Sequence, residues 1–195
     1  MITQEKKEQE MLAFIQRMKA ARAGGHVQRF HTMRTVQPNT VGHHSFGVAV
    51  MMDIMYAGNA PAHMLRAALY HDIAEAQFGD IPSPAKRALN SAELKLAEDK
   101  HMRALGLWTE LNEWERWQLK ALDILDGLWY CAEEMALGNR TVIEAWNNYR
   151  SYLFQHVGNA EPFENCNHFA EALDFVGATS GFLQADMEHC LGNRN

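Results

Sequence analysis

The sequence predicts an all-α fold, a helical bundle formed by one domain, and three observations predict it. Apolar residues recur at helical spacing in segment after segment, glycine and proline punctuate the segments, and no stretch alternates with the period of a strand. A chain of 195 residues, 47 % of them hydrophobic, can bury a sizeable core; with no fixed-period repeat, low-complexity tract or linker, residues 1–195 read as a single domain.

The first helix is expected over residues 4–23, where Met11, Leu12, Phe14, Ile15, Met18 and Ala21 make an amphipathic pattern and Gly24 and Gly25 end it. Residues 27–40 mix Arg29, Phe30, His31, Arg34, Gln37 and Pro38 without periodicity and read as a loop with exposed chemistry. Residues 41–56 form a largely buried helix through Val41, Phe46, Val48, Val50, Met51, Ile54 and Met55, closed by Gly58 and Asn59. A further helix runs from Pro61, suited to a first turn, to about Gln77. Gly79, Pro82 and Pro84 then force a turn. Helical patterns resume over 91–105, 111–137, 141–156 and 162–191, the last with a break expected near Gly177 and Gly181.

Bulk properties exclude several classes. The net charge of −6 argues against a nucleic-acid polymer as partner, because long polyanions are held by a basic face that releases counterions. The apolar runs are too short to span a bilayer, so no membrane association is expected, and the charged start at Glu5, Lys6 and Lys7 places the chain in the cytoplasm. Cys131, Cys166 and Cys190 are an odd set without a pairing pattern and read as reduced thiols. Trp108, Trp114, Trp117, Trp129 and Trp146 sit in helical patterns as core or interface residues, and Met51, Met52 and Met55 as adaptable packing.

The chemistry concentrates at Tyr70-His71-Asp72-Ile73-Ala74-Glu75. Adjacent His71 and Asp72 offer a nitrogen and an oxygen ligand, and Glu75, three and four residues on, falls on the same helical face within reach of a metal-bound water. His44 and Asp123 would complete a two-histidine, two-aspartate set suited to Mn, Fe, Co, Ni or Zn. Spacing alone does not separate this site from a polar pair with an ordinary structural role, which is the commoner case. Asp126, three residues after Asp123, is left outside the catalytic set.

The order His44, His71-Asp72, Asp123 resembles the H…HD…D pattern of the HD-domain phosphohydrolase superfamily. The blocks Gln28-Arg29-Phe30, Val41-Gly42-His43-His44-Ser45, Tyr70 to Glu75 and Gly79-Asp80-Ile81-Pro82-Ser83-Pro84-Ala85-Lys86 resemble the YfbR-type 5'-deoxynucleotidases and the phage DatZ-type dATP triphosphohydrolases. The likeness covers about residues 28–139 and leaves the C-terminal helices as scaffold or oligomer surface.

The resemblance implies an HD-domain bundle in which His44, His71, Asp72 and Asp123 hold a divalent transition metal (Mn, Co, Zn or Fe), with additional Mg for a triphosphate substrate. It implies that Glu75 and Asp80 share the acid and base roles. Arg29, Phe30, Ser83 and Lys86 would contact the nucleotide, Arg29 through its planar fork. Phe30 stands where the YfbR type has tryptophan, which removes an N–H donor, and His43 replaces an acidic residue and is expected to face solvent. Lys86, Arg87, Arg34 and Lys120 are candidates for β and γ phosphates, Arg87 and Lys120 reading first as solvated charges.

The implied reaction is hydrolysis of a 2'-deoxynucleotide at the α-phosphorus by a metal-activated water, from a monophosphate or from a triphosphate such as dATP. Two other readings stand beside it: an HD hydrolase of another phosphate ester, and a non-catalytic nucleotide-binding module, which would not need both Glu75 and Asp80. Long apolar helices with several tryptophans, together with the relatives' habit, predict a homo-oligomer.

Overall fold

The computed structural model describes residues 3–89 and 91–192; the side chains at 83, 84, 87, 91 and 190–192 lie outside the described residues. Its core is organised around α7 (Glu113–Ala136). Asn112 starts that helix with a capping box, its side chain accepting the Glu115 amide while the Glu115 carboxylate accepts the Asn112 amide, each at 2.9 Å. Trp114, Trp117, Ala121, Leu122, Leu125 and Leu128 follow at helical spacing and are buried. Against them pack α2 (Val41–Met55), α8 (Ile143–Gly158) and α9 (Phe169–Gly192). Fully burying one such leucine contributes about 1.5–3 kcal/mol. The fold is all-α, as the sequence predicts.

α2 is capped by Thr40, whose hydroxyl accepts the His43 amide at 3.3 Å, and turns His44, Ser45, Val48, Met51 and Met52 inward. α3 (Ala62–Tyr70) lies along it. The helix expected to run on to Gln77 stops at His71. There the His71 ring nitrogen Nδ1 bonds the Ala68 carbonyl at 2.8 Å, competing for an acceptor that a continuing helix would use. The amides of Ile73, Glu75, Ala76 and Gln77 then bond carbonyls three residues back, and a short α4 (Glu75–Phe78) begins anew. The expected break falls at Gly79, whose φ of 79° ends α4, and after Pro82 the chain forms one short helix, α5 (Ser83–Ala88), with a proline in its first turn.

Residues 27–40 also depart from the open loop predicted. β1 (Gln28–Arg29) pairs antiparallel with β2 (Asn39–Thr40), Gln28 opposite Thr40 and Arg29 opposite Asn39, and both Arg29 and Asn39 are buried. Two residues are too few for strand alternation to show in a sequence.

α1 (Gln4–Gly25) meets α2, α4 and α6 (Ser91–Leu105), yet Gly24 is its one buried residue. The apolar face read from its pattern, Met11, Leu12, Phe14, Ile15 and Met18, is exposed rather than packed inward. α9 runs unbroken through Gly177 and Gly181, where a break was expected. Ala172, Val176 and Leu183 bury its inner face against α7, and a helical glycine lowers stability without removing a ladder bond. None of the described helices is long and apolar enough to cross a membrane.

Candidate metal centre and active-site cavity

Four side chains from three elements converge beside α7. His44 from α2, His71 and Asp72 from the turn after α3, and Asp123 from α7 each offer a ligand atom, and these atoms lie within 4.8 Å of one another. The two Nε2 atoms of His44 and His71 are 3.1 Å apart, and His44 Nε2 is 3.1 Å from Asp123 Oδ1 and 3.5 Å from Asp72 Oδ2. Two imidazoles turned nitrogen to nitrogen with two carboxylates beside them form a donor set that fits a borderline divalent ion.

The outer nitrogens are held as well. His71 Nδ1 faces the Ala68 carbonyl at 2.8 Å, and His44 Nδ1 faces Asp126 Oδ2 at 2.6 Å. Burial lowers the His71 pKa. Burial also presses on His44, which has no exposed side-chain surface, but hydrogen bonds to Asp123 and Asp126 outweigh it and the pKa rises to about 9. Burial works against ionised Asp72, yet His71, Arg29 and His44 bring its pKa down to about 2; Lys120 and His44 hold Asp123 well below the usual range.

Beside these groups opens a cavity of about 370 Å³. One wall carries Glu75, Asp80, Ile81, Pro82 and Lys86; another carries Arg29, Phe30, Thr32 and Met33; α8 closes the third with Glu144, Asn148, Tyr149 and Tyr152. Arg29 Nη1 donates to Asp72 Oδ2 at 2.7 Å. Lys120 Nζ donates to Asp123 Oδ2 at 2.6 Å, and Lys86 Nζ stands 3.7 Å from Glu75 Oε1. The other Glu75 oxygen is buried without a protein partner. Burial, then Asp72 and Asp80, push the Glu75 pKa up to about 8 against the pull of Arg29 and Lys86.

Phe30 takes a left-handed backbone, φ 54°, where a bulky side chain costs about 1 kcal/mol or more. Its carbonyl accepts the Met33 amide at 2.9 Å and its ring meets Tyr130 at 4.6 Å, so the turn that shapes the cavity rim is held from both ends.

Of the residues singled out from sequence, the structure brings together His44, His71, Asp72, Asp123, Glu75, Asp80, Arg29, Phe30 and Lys86. The Ser83 side chain lies outside the described residues. Lys120, read first as a solvated charge, reaches the cavity; Arg34 does not line it, its carbonyl instead accepting from Asn139 and Thr141. His31 lies 3.6 Å from Asp80, and His43 is exposed. None of the tryptophans lines the cavity.

The α8 face was missed, since α8 offered only helical periodicity, and it supplies a cavity wall as well as scaffold. Asp126, one turn from Asp123 and left outside the catalytic set, hydrogen-bonds His44 from behind.

A model of the family described as 5'-deoxynucleotidase YfbR-like matches residues 10–114. A 5'-deoxynucleotidase of Enterobacter sp. strain 638 is 28 % identical over 144 residues, 61 % of this chain and 72 % of that protein. Among solved structures, an HD-domain phosphohydrolase of Listeria innocua superposes with a TM-score of 0.65 at 19 % identity, covering 90 % of this chain and 92 % of that one. The HD phosphohydrolase DatZ of cyanophage S-2L, bound to dA and one catalytic Zn2+ ion, gives 0.61 at 19 % identity, over 86 % of this chain and 96 % of its own. These two likenesses establish a shared fold.

Proposed function

Because the chain belongs to the 5'-deoxynucleotidase YfbR-like family, we propose that it hydrolyses 2'-deoxynucleoside 5'-monophosphates to deoxynucleoside and inorganic phosphate. Its metal would be a divalent transition ion held by His44, His71, Asp72 and Asp123, a donor set that suits zinc, the ion bound in the DatZ structure.

The observation that carries the monophosphate reading is the charge of the cavity wall. Asp72, Glu75, Asp80, Asp123 and Glu144 line it against Arg29, Lys86 and Lys120, and each cation already faces a carboxylate, at 2.7, 3.7 and 2.6 Å respectively. One divalent ion offsets the acidic excess and leaves these cations for a dianionic phosphate monoester. The two further phosphates of a triphosphate find no unpaired cation among the described lining residues.

When bound, the ion neutralises phosphate charge and acidifies the water it coordinates. The chain does the rest. Arg29, fixed by Asp72 and lying beside Tyr149, presents guanidinium N–H groups to phosphate oxygens. Glu75 and Asp80 divide the proton traffic: one orients the attacking water toward phosphorus, and the other protonates the sugar oxygen as its bond to phosphorus breaks. Phe30, Met33, Tyr149 and Tyr152 offer an apolar wall for sugar and base.

We further infer one HD domain that works in the cytoplasm as a homo-oligomer. Phe46, Val50 and Ile54, spaced by four residues along α2, leave an exposed apolar stripe for a second copy.

The test is a panel of ribo- and deoxynucleoside mono- and triphosphates with Mn2+ or Co2+, products resolved by anion exchange. Deoxynucleoside with inorganic phosphate from monophosphates is expected. Intact triphosphate released from dATP would replace this reading with a triphosphohydrolase, and no turnover with any metal would remove it.

A further inference from the structure

The two histidines of the candidate metal centre are oriented from behind in the same way. A neutral imidazole carries its proton on one nitrogen, and the hydrogen bond made there decides which nitrogen keeps its lone pair. Behind His71 the acceptor is the Ala68 carbonyl, 2.8 Å from Nδ1; behind His44 it is the Asp126 carboxylate, 2.6 Å from Nδ1. Both acceptors favour a proton on the outer nitrogen, so that a cation bound between the rings would find both Nε2 atoms, 3.1 Å apart, free to turn a lone pair to it once the inner proton of His44 is displaced.

Asp126 stands one turn beyond Asp123 on α7, so a single helical face sets one carboxylate at the inner nitrogen of His44 and the other at its outer nitrogen. The Asp126 carboxylate is seated in a slot that α2 leaves for it. A Cβ at Gly47, three residues after His44, would lie 2.0 Å from Asp126 Oδ1, so any larger residue there must push the carboxylate away.

We propose that Asp126 is a positioning residue of the metal centre: seated against Gly47, it accepts the Nδ1–H hydrogen bond of His44 and fixes the imidazole with Nε2 toward the ion, and so sets metal affinity. This rests on the metal reading above. It adds a residue that is neither a ligand nor part of the cavity wall.

The experiment measures Co2+ binding to the full chain by calorimetry and by the visible absorption of bound cobalt, with the melting temperature of each metal-free variant alongside. Asp126→Ala is expected to weaken Co2+ binding about 10- to 100-fold and to change the cobalt spectrum. Asp126→Asn, which keeps an acceptor oxygen, should recover part of that loss. Gly47→Ala retains the aspartate but displaces it, and should weaken binding in the same direction. Wild-type affinity in Asp126→Ala, or in both Asp126→Asn and Gly47→Ala where the alanine variant does not fold, overturns the proposal, even if melting temperatures fall. A wild-type chain that binds no Co2+ overturns the metal reading itself; no step depends on nucleotide turnover.

Discussion

The Tyr149 ring lies over Gly127, so close that a Cβ at position 127 would come within 2.5 Å of Cε1 and Cζ of the ring. α7 and α8 are therefore in contact where the cavity wall is formed, and Tyr149 also meets the Arg29 guanidinium. Gly127→Ala is expected to displace the ring and, through it, Arg29. Overpacking of this kind costs about 1–3 kcal/mol, visible as a lower melting temperature. With Arg29 in the phosphate-binding role proposed above, misplacing it should lower kcat/KM about tenfold or more. Unchanged kcat/KM would show that Tyr149 does not position Arg29.

The carboxylate of Glu134, buried near the end of α7, accepts the backbone amides of Val36 and Gln37 at 2.7 Å each and the side-chain Nδ2–H of Asn139 at 2.6 Å. Burial alone would raise its pKa, but these hydrogen bonds lower it below the ordinary value of 4.5. Glu134→Gln is expected to cost about 1.5–3 kcal/mol near neutral pH. A lowered folded pKa means that the stability is present above 4.5 and is lost as pH falls through the folded value. Denaturant melts of both proteins should therefore converge in acid, and a gap that widens there would reverse this assignment.

Chelation is expected to abolish hydrolysis and to lower the melting temperature together, because the four candidate ligands already converge in the fold. Restoring Mn2+ or Co2+ at about 100 times its dissociation constant should return about 2.7 kcal/mol of stability. Activity that returns without any rise in melting temperature would place the ion elsewhere.

Gly177 and Gly181 are exposed within the continuous α9, and a Cβ at either meets nothing within 4 Å. Gly177→Ala and Gly181→Ala should each stabilise the chain by up to about 1 kcal/mol, read as a higher melting temperature. Destabilisation by both would indicate a bend at this point in solution.

The convergence of the four candidate ligands was legible in sequence because a histidine-aspartate pair with a histidine before it and an aspartate after it, each within a recognisable block, is a chemical pattern rather than a packing pattern. Glu75 was legible for the same reason, although the helix that justified its spacing ends at His71 and restarts. Tyr149 was not, since a tyrosine at helical spacing gives no sign that it packs on Gly127. The seat of Asp126 depended on Gly47 of another helix, a long-range relation that periodicity cannot carry. The exposed face of α1 shows the converse: Met11 to Met18 announce an apolar stripe, but the spacing does not say whether anything covers it.

α7 serves as a ruler for the whole site. Asp123 stands in the ligand group, while eleven residues further on, a rise of about 16 Å, Glu134 holds the loop that carries Phe30 and Met33 to the rim. The span between phosphate end and rim is thus written in helical turns. One residue inserted between Asp123 and Glu134 would turn the two ends about 100° out of register, so the length of this helix is as much a part of the site as the side chains it bears.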